Sequence, residues 1–293
     1  MDVSVIIVNY NTAEITKQCI DSIIKNTHNI TFEILLIDNA SYDNSDIVFS
    51  EDKRITYIKS NENLGFGKAN NLGFKYSKGK YIFLLNSDTI IRNNAIKIFF
   101  DYLEGQDNKI AGVGTLLKES DGKTIGNSYG QFPTLKTTIN SILSIYNGKL
   151  LSIKDIKKYT KDTNEFFVDY IIGADIFLRR NVVNELGLFD PDFFMYFEET
   201  EMQYRYSKHG YRMKIYREPD IIHLECASTN KLKKKYNYNQ KYRFTCSWFL
   251  YMKKTHNILY YLIFKIIMLL YLPIVVKRQN TWKQNIKLIK LFL

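Results

Sequence analysis

Residues 81–89, YIFLLNSDT, decide the fold. The run YIFLL carries no polar residue at alternate positions, so it suits a strand buried on both faces rather than one with a wet side. It stops abruptly at Asn86-Ser87-Asp88. A carboxylate directly behind a buried strand either caps the next turn or stands at the carboxyl edge of a sheet, where open α/β sheets bind ligands. The surrounding sequence supports a sheet. VSVIIVNY (3–10) and FEILLID (32–38) are continuous apolar, β-branched runs, ITYIKS (55–60) is a shorter one, and IAGVGTLL (110–117) and YRMKIY (211–216) add two more. Residues 12–26 place Ile15, Cys19, Ile20, Ile23 and Ile24 at helical spacing, and Asn11 with Glu14 has the spacing of a capping box. Residues 67–77, 93–104 and 198–209 predict further helices, FFVDYIIGADIFLRR (166–180) predicts strand, and 120–165 predicts a long connection with some helix. Strands alternating with helices give an α/β fold: a mixed, mostly parallel sheet with helices on both faces.

The chain has 293 residues, of which 45% are hydrophobic and 24% charged, a composition that fits a folded globular protein. Cys19, Cys226 and Cys246 are far apart and odd in number, which argues against a disulfide framework or a zinc site and for a reducing compartment. The opening MDVSVIIVNYN has no basic stretch ahead of an apolar core and reads as a strand, not a leader. The net charge of +11 is uneven. Residues 226–293 hold 14 Lys and Arg and no acid, while residues 1–225 hold 27 basic and 30 acidic residues, a net of −3. The chain therefore divides into an α/β domain, 1–226, and a basic, apolar helical C-terminal region, 227–293. Within the latter, ILYYLIFKIIMLLYLPIVV (258–276) is barely long enough for a bilayer and contains Lys265 and Pro273, and TWKQNIKLIKLFL (281–293) alternates basic and apolar residues. This pattern predicts a tail lying in the interface of an anionic membrane rather than crossing it. Tyr236, Tyr238 and Tyr242 among the basic residues also suit single-stranded nucleic acid, but that reading leaves the apolar 258–276 run without a purpose.

Polar clusters follow three of the buried runs: Asn9-Tyr10-Asn11, Asp38-Asn39-Ala40-Ser41 and Asn86-Ser87-Asp88. A fourth, Glu198-Glu199-Thr200-Glu201, follows LFDPDFFMYF. Each alone is as well explained by capping and helix-dipole preferences. Together with NENLGFGKANNLGF (61–74) and GADIFLRR (173–180), and in this order, they resemble the inverting, GT-A-fold glycosyltransferases of family 2, especially the bacterial rhamnosyltransferase-like branch. The resemblance covers about residues 3–225 and leaves the tail unmatched.

The resemblance implies a set of roles. Asp38 would receive the base N–H of a uracil or thymine, with Tyr10 and Asn11 lining the same pocket. Gly65 and Gly67 would let the backbone approach the nucleotide, and Asn70 would face ribose or phosphate. Asn86, Ser87 and Asp88 occupy the place of the family's metal-binding DxD-type motif; Asn at the first position leaves Asp88 as the single carboxylate for Mg²⁺ or Mn²⁺. His223 stands where some relatives supply a further metal ligand. Glu199 would be the base that takes the acceptor's proton, with Glu198 and Glu201 as alternatives, and neighbouring carboxylates raise one another's pKa in a way that suits a base. Asp175 would accept a sugar hydroxyl. Strand alternation sends Arg179 and Arg180 to opposite faces, so at most one reaches the site. The implied protein uses a dTDP- or UDP-linked donor, rhamnose or a hexose, and a lipid-linked glycan acceptor. It works peripherally at the cytoplasmic face of a bacterial plasma membrane, with a homodimer possible and nucleic acid not a partner. The alternative is a nucleotide-sugar-binding protein that has lost catalysis.

Overall fold

A computed structural model describes residues 1–124, 128–146, 163–224, 238–276 and 281–292. Cys226, Tyr236 and the basic run 231–237 lie outside them. The chain runs β1 (Val3–Asn9), α1 (Ala13–Asn26), β2 (Phe32–Asp38), α2 (Ser45–Phe49), β3 (Thr56–Lys59), α3 (Gly65–Tyr76), β4 (Tyr81–Asn86), β5 (Thr89–Ile91), α4 (Ala95–Glu104) and β6 (Ile110–Gly114). It continues through β7 (Tyr129–Gly130), α5 (Leu135–Tyr146), β8 (Glu165–Val168), β9 (Tyr170–Ile171), β10 (Asp175–Arg179), α6 (Arg180–Leu186), α7 (Glu198–Lys208), β11 (Arg212–Tyr216) and β12 (Ile221–His223). The last helices are α8 (Tyr238–Thr255), α9 (Ile258–Leu269), α10 (Leu272–Val275) and α11 (Trp282–Phe292).

Eight strands form one sheet in the order β3-β2-β1-β4-β10-β6-β11-β8. β1 lies parallel between β2 and β4, so the strand order reverses at β1, which places a crevice at its carboxyl end. Adjacent residues on each strand face opposite ways. Ile7, Phe83 and Phe177 enter one core cluster with Ile20 and Phe99 of the helices, while Ile6, Leu84 and Leu178 enter another with Ala69 and Met202. That double burial is why these strands carry no polar alternation, and each such side chain contributes about 1.5–3 kcal/mol.

β10 runs antiparallel to both β4 and β6. Its first residue, Asp175, pairs with Leu85 near the carboxyl edge of β4, and its last, Arg179, pairs with Tyr81 at the opposite edge. Arg179 is buried there, donating to the carbonyls of Leu103, Gln106 and Ile110, and Arg180 donates to the carbonyl of Gly79. Strand direction thus places both arginines away from the carboxyl edge, within the expectation that at most one of them reaches the site. The capping box is corrected. Thr12 is the N-cap residue of α1 and makes no side-chain cap bond; Asp43 Oδ2 accepts the Ala13 N–H at 2.9 Å instead.

The residues form two compact units. Of the described residues, the first holds 1–124, 128–131, 163–194 and 198–224; the second holds 132–146, 195–197, 238–276 and 281–292. The helical unit thus draws on the middle of the chain as well as its tail, unlike a simple division at 226. In it, Phe249 of α8 meets Phe264 of α9 and Phe292 of α11 at ring separations of 5.1 and 5.2 Å. Phe197 stacks on Trp248, and the Met195 carbonyl accepts from Ser247 Oγ at 2.8 Å. The apolar run 258–276 is two helices rather than one, and among the described residues no helix is long and apolar enough to cross a membrane.

Candidate active site

Strand register assembles the site. Asn9 pairs with Asp38, and Val8 with Asn86, so the carboxyl ends of β1, β2 and β4 stand side by side with their polar clusters. Asn9 ties them together. Its Nδ2 donates to Ser45 Oγ at 2.8 Å and Ser41 Oγ at 3.1 Å, and its Oδ1 accepts from Thr12 and Thr16. Thr12 Oγ1 lies 3.4 Å from Ser87 Oγ, linking the β1 and β4 loops.

Asp38 is fully buried. Its Oδ2 accepts from the Tyr57 hydroxyl at 2.7 Å and its Oδ1 from the Ser41 N–H at 3.1 Å. In this arrangement the carboxylate shapes the 39–41 loop. The loop it shapes holds Ala40 at φ 64, and Asn11 across from it is left-handed too, at φ 56. Asn11 accepts the Tyr42 N–H through Oδ1 at 2.8 Å. The exposed rings here are Tyr10 and Tyr42, edge to face with centroids 6.4 Å apart. They offer apolar faces for a base, and Tyr42 was missed because nothing local marks it.

The start of α3 is closely packed as well. A Cβ on Gly65 would come within 2.1 Å of the Phe194 carbonyl oxygen, and Gly65 holds φ +78. A Cβ on Gly67 would meet Phe189 at 3.1 Å and Glu198 at 3.6 Å. Both glycines admit the chain's own backbone and side chains at close range. Asn70 is buried and donates its amide N–H to the Phe66 carbonyl. Asn39, given no individual role by the sequence, accepts the Leu64 N–H and donates to the Gly65 carbonyl, fixing α3 to the β2 loop. The contacts run from the β2 loop through α3 to the first residue of α7.

Asp88 is held opposite His223 by the β5–β12 ribbon, in which Thr89 pairs with His223. His223 Nε2 lies 3.1 Å from Asp88 Oδ1 and 3.4 Å from Asn86 Nδ2, and its Nδ1 has no hydrogen-bond partner among the described residues. One ring nitrogen cannot give a proton to Asp88 and take one from Asn86 at once. Turning the Asn86 amide over, which exchanges its oxygen and nitrogen, directs an oxygen at the imidazole instead. A carboxylate, an imidazole and an amide oxygen around one point form a donor set that fits a divalent cation. Among the described residues no group of three or more His, Cys, Asp and Glu surrounds such a point.

Glu198 and Glu199 open α7. Glu198 is buried against α3, and its Oε2 has no hydrogen-bond partner among the described residues. Burial, with the charge of Glu199 beside it, holds its carboxyl well above the usual range. Glu199 is half-buried, and burial raises it to about 7. Gln203 clamps this turn of helix, donating to the Glu199 and Ile171 carbonyls at 2.9 and 2.8 Å. Glu201 pairs bidentately with Arg205 at 3.0 Å. Asp175 is fully buried, one oxygen accepting the Thr115 N–H at 2.6 Å and the other without a hydrogen-bond partner among the described residues.

Glycosyltransferase GlyG of Streptococcus pneumoniae serotype 4 is 31% identical over 126 residues, 41% of this chain and 41% of its own length. The low-salt glycan biosynthesis hexosyltransferase of Haloferax volcanii is 26% identical over 239 residues, 80% of this chain and 71% of its own. Among solved structures, GalNAc-T7 with UDP, GalNAc and Mn²⁺ superposes with a TM-score of 0.58 at 18% identity, covering 76% of this chain and 44% of that one. Mannosyltransferase PcManGT from Pyrobaculum calidifontis with GDP-Man and Mn²⁺ gives 0.57 at 15%, covering 86% and 63%. The chain thus spans less than half the length of the pneumococcal relative and of GalNAc-T7. The structural likeness shows a GT-A fold, and with residues 4–187 matching its description the chain belongs to glycosyl transferase family 2.

Proposed function

We propose that the protein moves a sugar, with inversion, from a dTDP- or UDP-linked donor to a lipid-linked glycan at an anionic membrane surface. The observation that carries this is the pair of sites that share one fold unit: Asp88 against His223 at 3.1 Å, and Glu199 with its carboxyl raised to about 7. Tyr10 and Tyr42 receive the base, with Asn11 setting the loop beneath them. Asn86, Ser87, Asp88 and His223 line the diphosphate. Asp88 and His223 would hold a Mg²⁺ or Mn²⁺ ion, which neutralises charge on a leaving diphosphate. Glu199 takes the acceptor hydroxyl's proton while that oxygen bonds to the anomeric carbon and the nucleoside diphosphate departs from the opposite side. A base poised near pH 7 combines availability with proton affinity. Rhamnose and a UDP-linked hexose are the donor sugars we favour, for a surface polysaccharide assembled at the cytoplasmic face of a bacterial plasma membrane.

Calorimetry with UDP, dTDP and GDP, with and without Mn²⁺, tests this without an acceptor. Metal-dependent binding of UDP or dTDP, abolished in Asp88→Ala, is expected. Failure of every nucleotide to bind under every condition overturns the reading.

A further inference from the structure

α9 shows solvent an apolar stripe. Ile258, Leu262 and Ile266 recur every fourth residue, Leu259, Ile263 and Leu270 lie alongside, and all are exposed, Ile258 by 70% and Ile266 by 66%. Phe264 and Met268 on the other face are fully buried, so the helix has already spent its core-facing side. Beside it packs α5, from the middle of the chain. The Leu135 N–H donates to the Tyr260 hydroxyl at 2.9 Å, and Ile142 is buried. One turn apart on α5, Ile139 and Leu143 are exposed. Two packed helices of one unit therefore each leave large aliphatic side chains in water, more than scattered surface residues account for.

The charges say what covers them. Lys253 and Lys254 are exposed just before α9, and α11 exposes Lys283, Lys287 and Lys290 together with Trp282. From residue 226 to the end there are 14 basic residues and no acid, and α5 adds Lys136 and no acid. A second copy of this chain would bring the same all-basic surface to a symmetric contact, like charge against like. An anionic lipid surface offers both an apolar layer and the opposite charge.

We infer that α5 and α9 together form one bilayer-seated face, so that a segment inserted in the middle of the chain, and not the tail alone, enters the lipid interface. This rests on the membrane-surface reading above and adds the second helix. The test is co-sedimentation of the full chain with vesicles of phosphatidylcholine, alone or mixed with phosphatidylglycerol, for wild type, Leu262→Ser/Ile266→Ser and Ile139→Ser/Leu143→Ser. All four positions are exposed, so thermal melting should be unchanged. Wild type is expected to bind the mixed vesicles, more weakly as salt rises, and each double variant to bind about tenfold less. A wild-type affinity in the α5 variant, with loss only in the α9 variant, overturns the inference and leaves the membrane reading standing. Absence of wild-type binding to mixed vesicles overturns both. A wild-type dimer in light scattering that both variants dissociate, without vesicle binding, would make the face a self-contact and also overturn it.

Discussion

Glu199 ties the chemistry to a measurable number. Its carboxyl rises to about 7 because burial disfavours the charged form, and only that form accepts a proton. We expect kcat/KM to fall about tenfold for each pH unit below about 7 and to level off above it. Glu199→Gln should lower kcat by about 10²–10⁴-fold while calorimetry shows donor binding unchanged; unchanged turnover would remove Glu199 from the role. Ala40 makes a different point. A non-glycine residue at φ 64 costs about 1–2 kcal/mol, and the loop accepts that cost because the Asp38 carboxylate holds the Ser41 N–H. Ala40→Gly should therefore raise stability by about 1 kcal/mol in chemical denaturation. Gly65→Ala should do the reverse, and more strongly, since its new methyl would overlap the Phe194 carbonyl oxygen.

Among the elements, what the sequence disclosed followed from burial. β1, β2 and β4 were readable because double-sided burial leaves continuous apolar runs, and α1, α4 and α7 because one-sided burial leaves a period. β5 and β12 were not, being three residues each and meaningful only once paired across the chain. β10 was readable as a strand but not in direction, and direction decides that Arg179 lies away from the site. The resemblance named Asp88 and His223 as ligands, and the ribbon brings them together. It says nothing of the packing around Gly65, Gly67 and Asn70, because which partner approaches a glycine or uses a buried amide is a tertiary fact. The cap of α1 is a similar case, since Asp43 comes from the loop between β2 and α2. Asp43→Ala should cost about 1 kcal/mol, read as a lower denaturation midpoint.

On the scale of the whole molecule, the two units are interleaved along the chain. A protein ending at residue 226 would keep α5 but lose α9, stripping the cover from Ile142 and Thr138, which are nearly inaccessible in the full chain. Such a truncation should melt lower than the full chain and aggregate, seen as light scattering on heating. Equal melting and solubility would mean that the tail is a separable appendage and that α5 does not depend on it.

The pairing of α5 with α9 also sets a clock. α5 leaves the ribosome while more than a hundred residues still separate it from α9. At the usual pace of synthesis its core-facing side waits on the order of ten seconds for a partner. The strands β10 and β11, needed to finish the sheet, are made within that same interval. The nascent chain therefore carries a completed β1–β4 layer and an uncovered helix together, and that is the stage at which a holding chaperone would matter most for yield.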